Sequence, residues 1–219
     1  MLLKPSKFIK VIILTIILSC FTYVTAFAGT LTDNTALSIS LTQQSYYSKT
    51  SVTISATITD SESEVSVRKW ANGMQKPFYF MFNGTAFYST FSVSANSIYT
   101  VYAKDASGNE AIKYIIVTKI DTTSPTISLS ASTEWNTSNI ITANITDSQS
   151  GVTVKKWAFG DYSASYFSSN GYTIADSSIT VTNNGVYTIY AKDGVGNESV
   201  ATVTVSYIGN MISVTHPLS

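Results

Sequence analysis

The sequence predicts an all-β protein made of two antiparallel β-sandwiches in tandem, and three observations carry that prediction. The first is a repeat. Asn96-Ser97-Ile98-Tyr99-Thr100-Val101-Tyr102-Ala103-Lys104-Asp105, followed by Gly108-Asn109-Glu110, is answered by residues 184–193 and then by Gly196-Asn197-Glu198. Tyr99 and Tyr187 stand 88 residues apart, a period long enough for each repeat to bury a core of its own. The second is a strict alternation of apolar residues with Ser and Thr, the period of half-buried strands, with no helical period anywhere in the repeats. The third is the spacing of turn signals, which come every 8 to 15 residues or so and leave room for seven short strands per unit.

In chain order, Leu37, Ile39 and Leu41 alternate with Ser and Thr and form the first strand. Val52, Ile54, Ala56 and Ile58 form the second, which ends at Asp60; residues 140–147 are its counterpart. The β-branched Val, Ile and Thr that fill these runs suit a pleated, half-buried surface. Val65, Val67 and the pair Lys69-Trp70 mark a third strand, repeated by Val152, Val154 and Lys156-Trp157 at an offset of 87. Asn83-Gly84 and Asn170-Gly171 are the strongest short hairpin signal, because both residues tolerate positive φ. The offset then becomes 88, which places a one-residue insertion in a loop near 172–178. Phe91 and Val93 pair with Ile179 and Val181, the repeated stretch follows, and the last strands run over 111–120 and 199–208. Between the units lies Ile120-Asp121-Thr122-Thr123-Ser124-Pro125, whose Pro125 blocks edge pairing at the entry to the next strand.

The N-terminus reads as an export signal. Lys4, Lys7 and Lys10 precede an apolar run from Val11 to Val24 and then Ala26-Phe27-Ala28, a small-x-small cleavage pattern. The run falls short of the ~20 apolar residues a membrane span needs. Cleavage after Ala28 is the expectation, and lipidation at Cys20, after Ile17-Leu18-Ser19, is the alternative. Removing residues 1–28 takes three lysines and no acid from 13 basic and 13 acidic residues, leaving 10 against 13. That mildly acidic balance gives no reason to expect a nucleic-acid partner. With the only cysteine gone, the exported chain cannot form an internal disulfide, so each unit must stand on its hydrophobic core. The expected organisation is a signal peptide (1–28), a flexible leader (29–35), a first domain (36–120), a linker (121–125), a second domain (126–208) and a tail (209–219).

The tokens Tyr102-Ala103-Lys104-Asp105 with Gly108-Asn109-Glu110, their second copy, the Lys-Trp pairs and the Ile-Asp-Thr-Thr-Ser-Pro linker resemble tandem bacterial immunoglobulin-like (Ig-like) domains of secreted and cell-surface proteins. The resemblance covers residues 36–208 and implies Ig-like sandwiches that serve as spacers, adhesion modules or accessory parts of larger enzymes. It implies structural roles as well. Trp70 and Trp157 take the place of the buried third-strand tryptophan. Ala56 with Val101, and Ala143 with Ile189, stand where a disulfide would be. Tyr99 and Tyr187 are candidate tyrosine corners, their hydroxyls bonding back to the upstream backbone.

Chemistry is sparse. The one histidine, His216, lies in the tail, so no Ser-His-Asp or Cys-His set can form within the units, and a non-enzyme is expected. Asp60, Glu62 and Glu64 form an acidic turn, but the second unit has Asp147, Gln149 and Gly151 there, so a shared carboxylate pair is not expected. Asp105, Asn109 and Glu110, repeated as Asp193, Asn197 and Glu198, offer hard oxygens that suit calcium, though one turn supplies fewer than the six to eight it takes. A turn capped by its own Asp accounts for the same residues. Aromatics crowd the first unit from Phe78 to Phe91, and Trp135, Tyr46 and Tyr47 sit in equivalent loops. Exposed, they would form a carbohydrate-stacking face; packed, they would belong to the sandwich. The sequence thus points to a monomeric, exported, non-catalytic protein at or beyond the cell surface. Its partner would be a surface protein or a glycan, and it has no membrane span once the signal is removed.

Overall fold

The computed structural model describes residues 33–209; the expected signal peptide, Cys20 and His216 lie outside them. The first unit contains β1 (Ser38–Gln43), β2 (Val52–Thr59), β3 (Val65–Asn72), β4 (Thr85–Ala86), β5 (Thr90–Val93), β6 (Ile98–Asp105) and β7 (Glu110–Ile116). The second contains β8 (Thr126–Ala131), β9 (Asn139–Thr146), β10 (Val152–Phe159), β11 (Tyr172–Thr173), β12 (Ser178–Val181), β13 (Gly185–Asp193) and β14 (Glu198–Val205). Sheets β1-β2-β5 and β4-β3-β6-β7 face each other in the first unit, as β8-β9-β12 and β11-β10-β13-β14 do in the second. Every strand pairing within them is antiparallel. The protein is therefore two tandem Ig-like sandwiches.

Alternation decides which residues meet between the sheets. In β2, Val52, Ile54, Ala56 and Ile58 are buried while the threonines and serines between them face solvent. They pack with Phe91, Val93, Tyr99, Val101 and Ala103 in one core, and Ile141, Ala143, Ile179, Val181, Tyr187 and Ile189 build the other. Beneath the outer face of each four-stranded sheet lies a smaller apolar cluster, centred on Phe80 and Tyr102 in the first unit and on Phe167 and Tyr190 in the second.

Two expectations are corrected. Asn83-Gly84 does not make a two-residue hairpin. It closes a 3-10 helix over Pro77–Met81, with the Asn83 backbone N–H and side-chain amide both donating to the Tyr79 carbonyl. Gly84 has φ +87°, and a Cβ there would sit 2.8 Å from the Phe80 ring, so the glycine serves both backbone sign and close packing. Asn170-Gly171 ends the equivalent helix over Ala164–Ser168, where the Asn170 side-chain amide donates to the Tyr166 carbonyl and Gly171, at φ +87°, packs against the Phe167 ring. The last strands are also shorter than expected. β7 stops at Ile116 because the Val117 N–H turns to the Ser97 carbonyl and Ile120 bridges Ser48; β14 stops at Val205, and Ile208 bridges Asn136. No helix among the described residues is long and apolar enough to cross a membrane.

Candidate functional site

Strand ends converge at one end of each sandwich. Asp33, ahead of β1, Asp60, just after β2, and Asp105, the last residue of β6, bring carboxylate oxygens within 4.8 Å of one another. Asp121 in the linker, Asp147 after β9 and Asp193 at the end of β13 do the same in the second unit. The three positions correspond pairwise at offsets of 87 or 88, so the trio is part of the repeat. That separation is what one ion with oxygen bonds of about 2.4 Å spans.

Much of each trio is already engaged. Asp105 Oδ1 accepts the N–H groups of Gly108 and Asn109, and Oδ2 accepts the Asn109 amide. Asp193 repeats this with Val195 and Asn197. Asp60 Oδ1 accepts from Glu62 and Ser63, and Asp147 Oδ1 from Gln149 and Gly151. In the first trio, however, Asp33 Oδ2 and Asp60 Oδ2 are shut off from solvent with no well-formed hydrogen bond, and beside the second trio so is Ser150 Oγ. The adjacent Ser63 hydroxyl, itself buried and short of good hydrogen-bond geometry, and then the Thr35 hydroxyl and N–H hold the Asp33 carboxyl down at about 2. Burial pushes the Asp105 and Asp193 carboxyls up, but the hydrogen bonds from Asn109 and Asn197 outweigh it and leave both below the usual range.

The sequence-derived calcium sets are therefore divided in space. Asp105 and Asp193 lie in the trios. Asn109 and Asn197 turn their amide hydrogens, not their oxygens, toward them. Glu110 and Glu198 lie on the outer sheet face, where each accepts a tyrosine hydroxyl, Tyr102 at 2.9 Å and Tyr190 at 2.8 Å, and pairs with Lys104 or Lys192. Burial first, then the hydrogen bond and charge of Glu198, push the Tyr190 hydroxyl up to about 12, and Tyr102 moves the same way. Sequence reasoning overlooked Asp33 and Asp121 as trio members. The signal was available in their spacing of 88, which matches that of the repeat.

The second trio is also the joint between the units. Ile120 is tied to the first unit by both ends of the Asn96 amide, and the Asp121 N–H donates to the Ser48 carbonyl. The fully buried Asp121 side chain accepts from Thr123 and Ser150. From the second unit, Gln149 reaches the Ile120 carbonyl, and the Asn197 amide reaches the carbonyls of Asp121 and Thr123.

The residues assigned structural roles lie as follows. Val101 and Ile189 are completely buried, and the Tyr99 and Tyr187 hydroxyls donate to the carbonyls of Ala95 and Asn183, at 2.9 and 2.8 Å. Trp70 stacks on Phe91 at 4.8 Å, and Trp157 packs against Tyr172 and Tyr187. Beside each tryptophan, Lys69 and Lys156 point to the opposite sheet face and hold the 3-10 helices by donating to the Phe80 and Phe167 carbonyls. Trp135 is 59% exposed and edge-on to Tyr207, Tyr46 is 68% exposed, and Tyr47 lies beneath the Lys119 ammonium. Of the first-unit aromatics, Phe80 and Phe91 are buried, Tyr79 and Phe87 half-buried, and Phe78, Phe82 and Tyr88 exposed.

No protein-family model and no curated protein matches the chain. Among solved structures, the three N-terminal domains of the Highly Immunogenic Outer Capsid protein (Hoc) of bacteriophage RB49 match 77% of this chain at 16% identity with a TM-score of 0.44; the match spans 58% of that three-domain chain. The fibronectin(III)-like modules of CbhA from Clostridium thermocellum match 75% of this chain and 92% of their own at 18% identity, TM-score 0.29. Murine CEACAM1b matches 77% of this chain and 99% of its own at 10% identity, TM-score 0.35.

Proposed function

We propose that this chain is an exported, non-catalytic spacer and interaction module of the tandem bacterial Ig-like kind, in which two sandwiches are held in a fixed relation at the surface of the cell. The observation that carries this reading is the joint. Ile120 and Asp121 are hydrogen-bonded into both units at once, so the connection is a set of buried and part-buried bonds and not a free tether. A fixed joint suits a spacer that presents a binding face at a set distance.

Calcium extends the same reading. The donors are all oxygen, a hard set that suits calcium and not a softer metal, and the buried Oδ2 atoms of Asp33 and Asp60 have no well-formed hydrogen bond. Asp33, Asp60 and Asp105 would hold one ion, and Asp121, Asp147 and Asp193 another, each completed by water or backbone oxygen. An ion in the second trio would brace the linker against the second unit. Titration calorimetry with calcium chloride, together with thermal melting in calcium and in chelator, tests this. At a hundredfold excess over the dissociation constant the native state gains about 2.7 kcal/mol, which for a unit of this size raises Tm on the order of 10 °C. A flat titration and a Tm unmoved by chelator would remove calcium from the proposal. Turnover of a hydrolase substrate by the purified chain would overturn the non-catalytic reading itself.

A further inference from the structure

The two units are each other's control. They share register strand for strand, so a position where they differ in chemistry is one the fold leaves free. The outer face of the β4-β3-β6-β7 sheet keeps the rings and the Lys–Glu pair of the corresponding face of the second unit but differs in the exposed residues around them. Phe78, Met81 and Phe82 project from and just beyond the first 3-10 helix at 73%, 64% and 75% exposure, where the second unit has Ser165, Ser168 and Ser169. Met74 answers Asp161, and on the neighbouring strand Tyr114 and Ile116 answer Thr202 and Thr204. The residues beneath, which the fold does require, are the same pair of stacked rings: Phe80 on Tyr102 at 4.9 Å and Phe167 on Tyr190 at 5.0 Å. Phe78 and Phe82 alone leave roughly 300 Å² of ring uncovered, and with the methionines, Tyr114 and Ile116 the face passes the few hundred Å² that soluble monomers normally expose.

Charge changes together with apolarity. Lys69, Lys76 and Lys104 lie on or beside the first face, with Glu110 their single acidic neighbour; on the second, Lys156 and Lys192 meet Asp161 and Glu198, and Ser163 stands where Lys76 was. The first face therefore carries two lysines in excess and the second none. Between the 3-10 helix and the sheet runs a groove of about 380 Å³, walled by Phe78, Phe80, Met81 and Tyr102, with the Lys104–Glu110 pair at its polar end.

We propose that this face of the first unit docks an acidic peptide segment of another protein, with one aromatic or large aliphatic side chain entering the groove and neighbouring carboxylates meeting the lysines. The proposal rests on the interaction-module reading and names its partner class. A second copy of the chain is the weaker occupant, because a two-fold contact would set lysines against lysines. A sugar stacks on a flat ring, and Phe78 and Phe82 stand at 77° to each other and offer no common plane. A membrane surface would neither fill a groove nor favour the Glu110 carboxylate within it.

The test is panning of a phage-displayed random peptide library, about twelve residues long, against the chain as exported and against a variant in which Phe78, Met81 and Phe82 are all replaced by Ser. Those serines are the second unit's own residues, so the variant keeps its fold, which circular dichroism and an unchanged melting curve verify. Peptides that join an apolar anchor to Asp or Glu are expected to enrich on the wild type. The highest-ranked synthetic peptide should bind the variant at least tenfold more weakly, about 1.4 kcal/mol, and bind Lys76→Ser and 0.5 M salt less tightly than wild type at low salt. Equal binding to the variant, enrichment of peptides without acidic residues, or no enrichment would overturn the proposal. So would retention on phosphatidylglycerol vesicles, glycan binding or self-association that the variant abolishes, each of which assigns the face to another occupant. None of these outcomes alters the linker geometry or the calcium titration, so the two readings fail separately.

Discussion

Asn197→Ala isolates what the joint contributes. The Asn197 amide is buried and donates to the Asp193 carboxylate at 2.7 Å and to the Asp121 and Thr123 carbonyls at 3.1 and 3.2 Å. Losing a hydrogen bond to a charged group costs about 1.5–3 kcal/mol, and the carbonyls that share the remaining hydrogen add about 1 kcal/mol. The total of about 2.5–4 kcal/mol falls on the second unit alone, which at this size lowers its Tm by about 10 °C or more. Asn109→Ala is the matched control. It loses the same carboxylate bond, at 2.8 Å, and a bond to the Asp33 carbonyl, but touches no linker atom. Both variants should therefore separate the two unfolding transitions followed by tryptophan fluorescence, whereas only Asn197→Ala should broaden the interparticle-corrected small-angle scattering toward a flexible pair. A loss under about 1 kcal/mol, or identical scattering from the two variants, would refute the assignment of this amide to the joint.

The tyrosine corners carry a smaller cost. Tyr187→Phe and Tyr99→Phe each remove one hydroxyl donor from a backbone carbonyl and should destabilise their own unit by about 1–2 kcal/mol, measured by urea unfolding, while Tyr46→Ala should stay within about 0.5 kcal/mol of wild type. Alkaline titration probes the outer sheet face. The Tyr190 hydroxyl, raised to about 12 by burial and by Glu198, holds its proton more tightly in the folded chain than in the unfolded one. The stability it contributes is fully present below the ordinary tyrosine value of 10 and is lost as pH rises through about 12. Tyrosinate absorbance should thus show a delayed class of groups, Tyr102 among them, and in Glu198→Gln one of that class, Tyr190, should move partway toward the rest while burial still holds it up; a wild-type titration already complete near pH 10 would contradict the geometry.

What the sequence disclosed, and what it withheld, follows from the range of each interaction. Val52, Ile54, Ala56 and Ile58 declare a strand within eight residues because alternation is a local property, and the repeat supplies the register by comparison with itself. The Asn83-Gly84 signal is local too, but it reports only that positive φ is tolerated, a demand that a hairpin and the end of a 3-10 helix share. What separates them is the Phe80 ring packed against Gly84, a contact between the helix and its own exit that no propensity records. The same turn explains why alternation could not sort the aromatics. Within a 3-10 helix Phe80 faces inward and Phe78, Met81 and Phe82 outward, an arrangement that period two does not generate. The aspartate trios were hidden for a different reason. Asp33, Asp60 and Asp105 come from three separated segments that meet only when both sheets have closed, and a search within one turn instead joined Asp105 to Glu110, whose side chain leaves for the opposite face. The repeat could have supplied the missing constraint. A spacing of 87 or 88 picks out four acidic pairs, the three aspartate pairs of the trios and Glu110 with Glu198, so the repeat narrows the search to eight residues and the fold then separates the glutamates from the rest. The same comparison read in reverse, for residues that do not recur, picks out Phe78, Met81 and Phe82 as positions that the shared fold does not require.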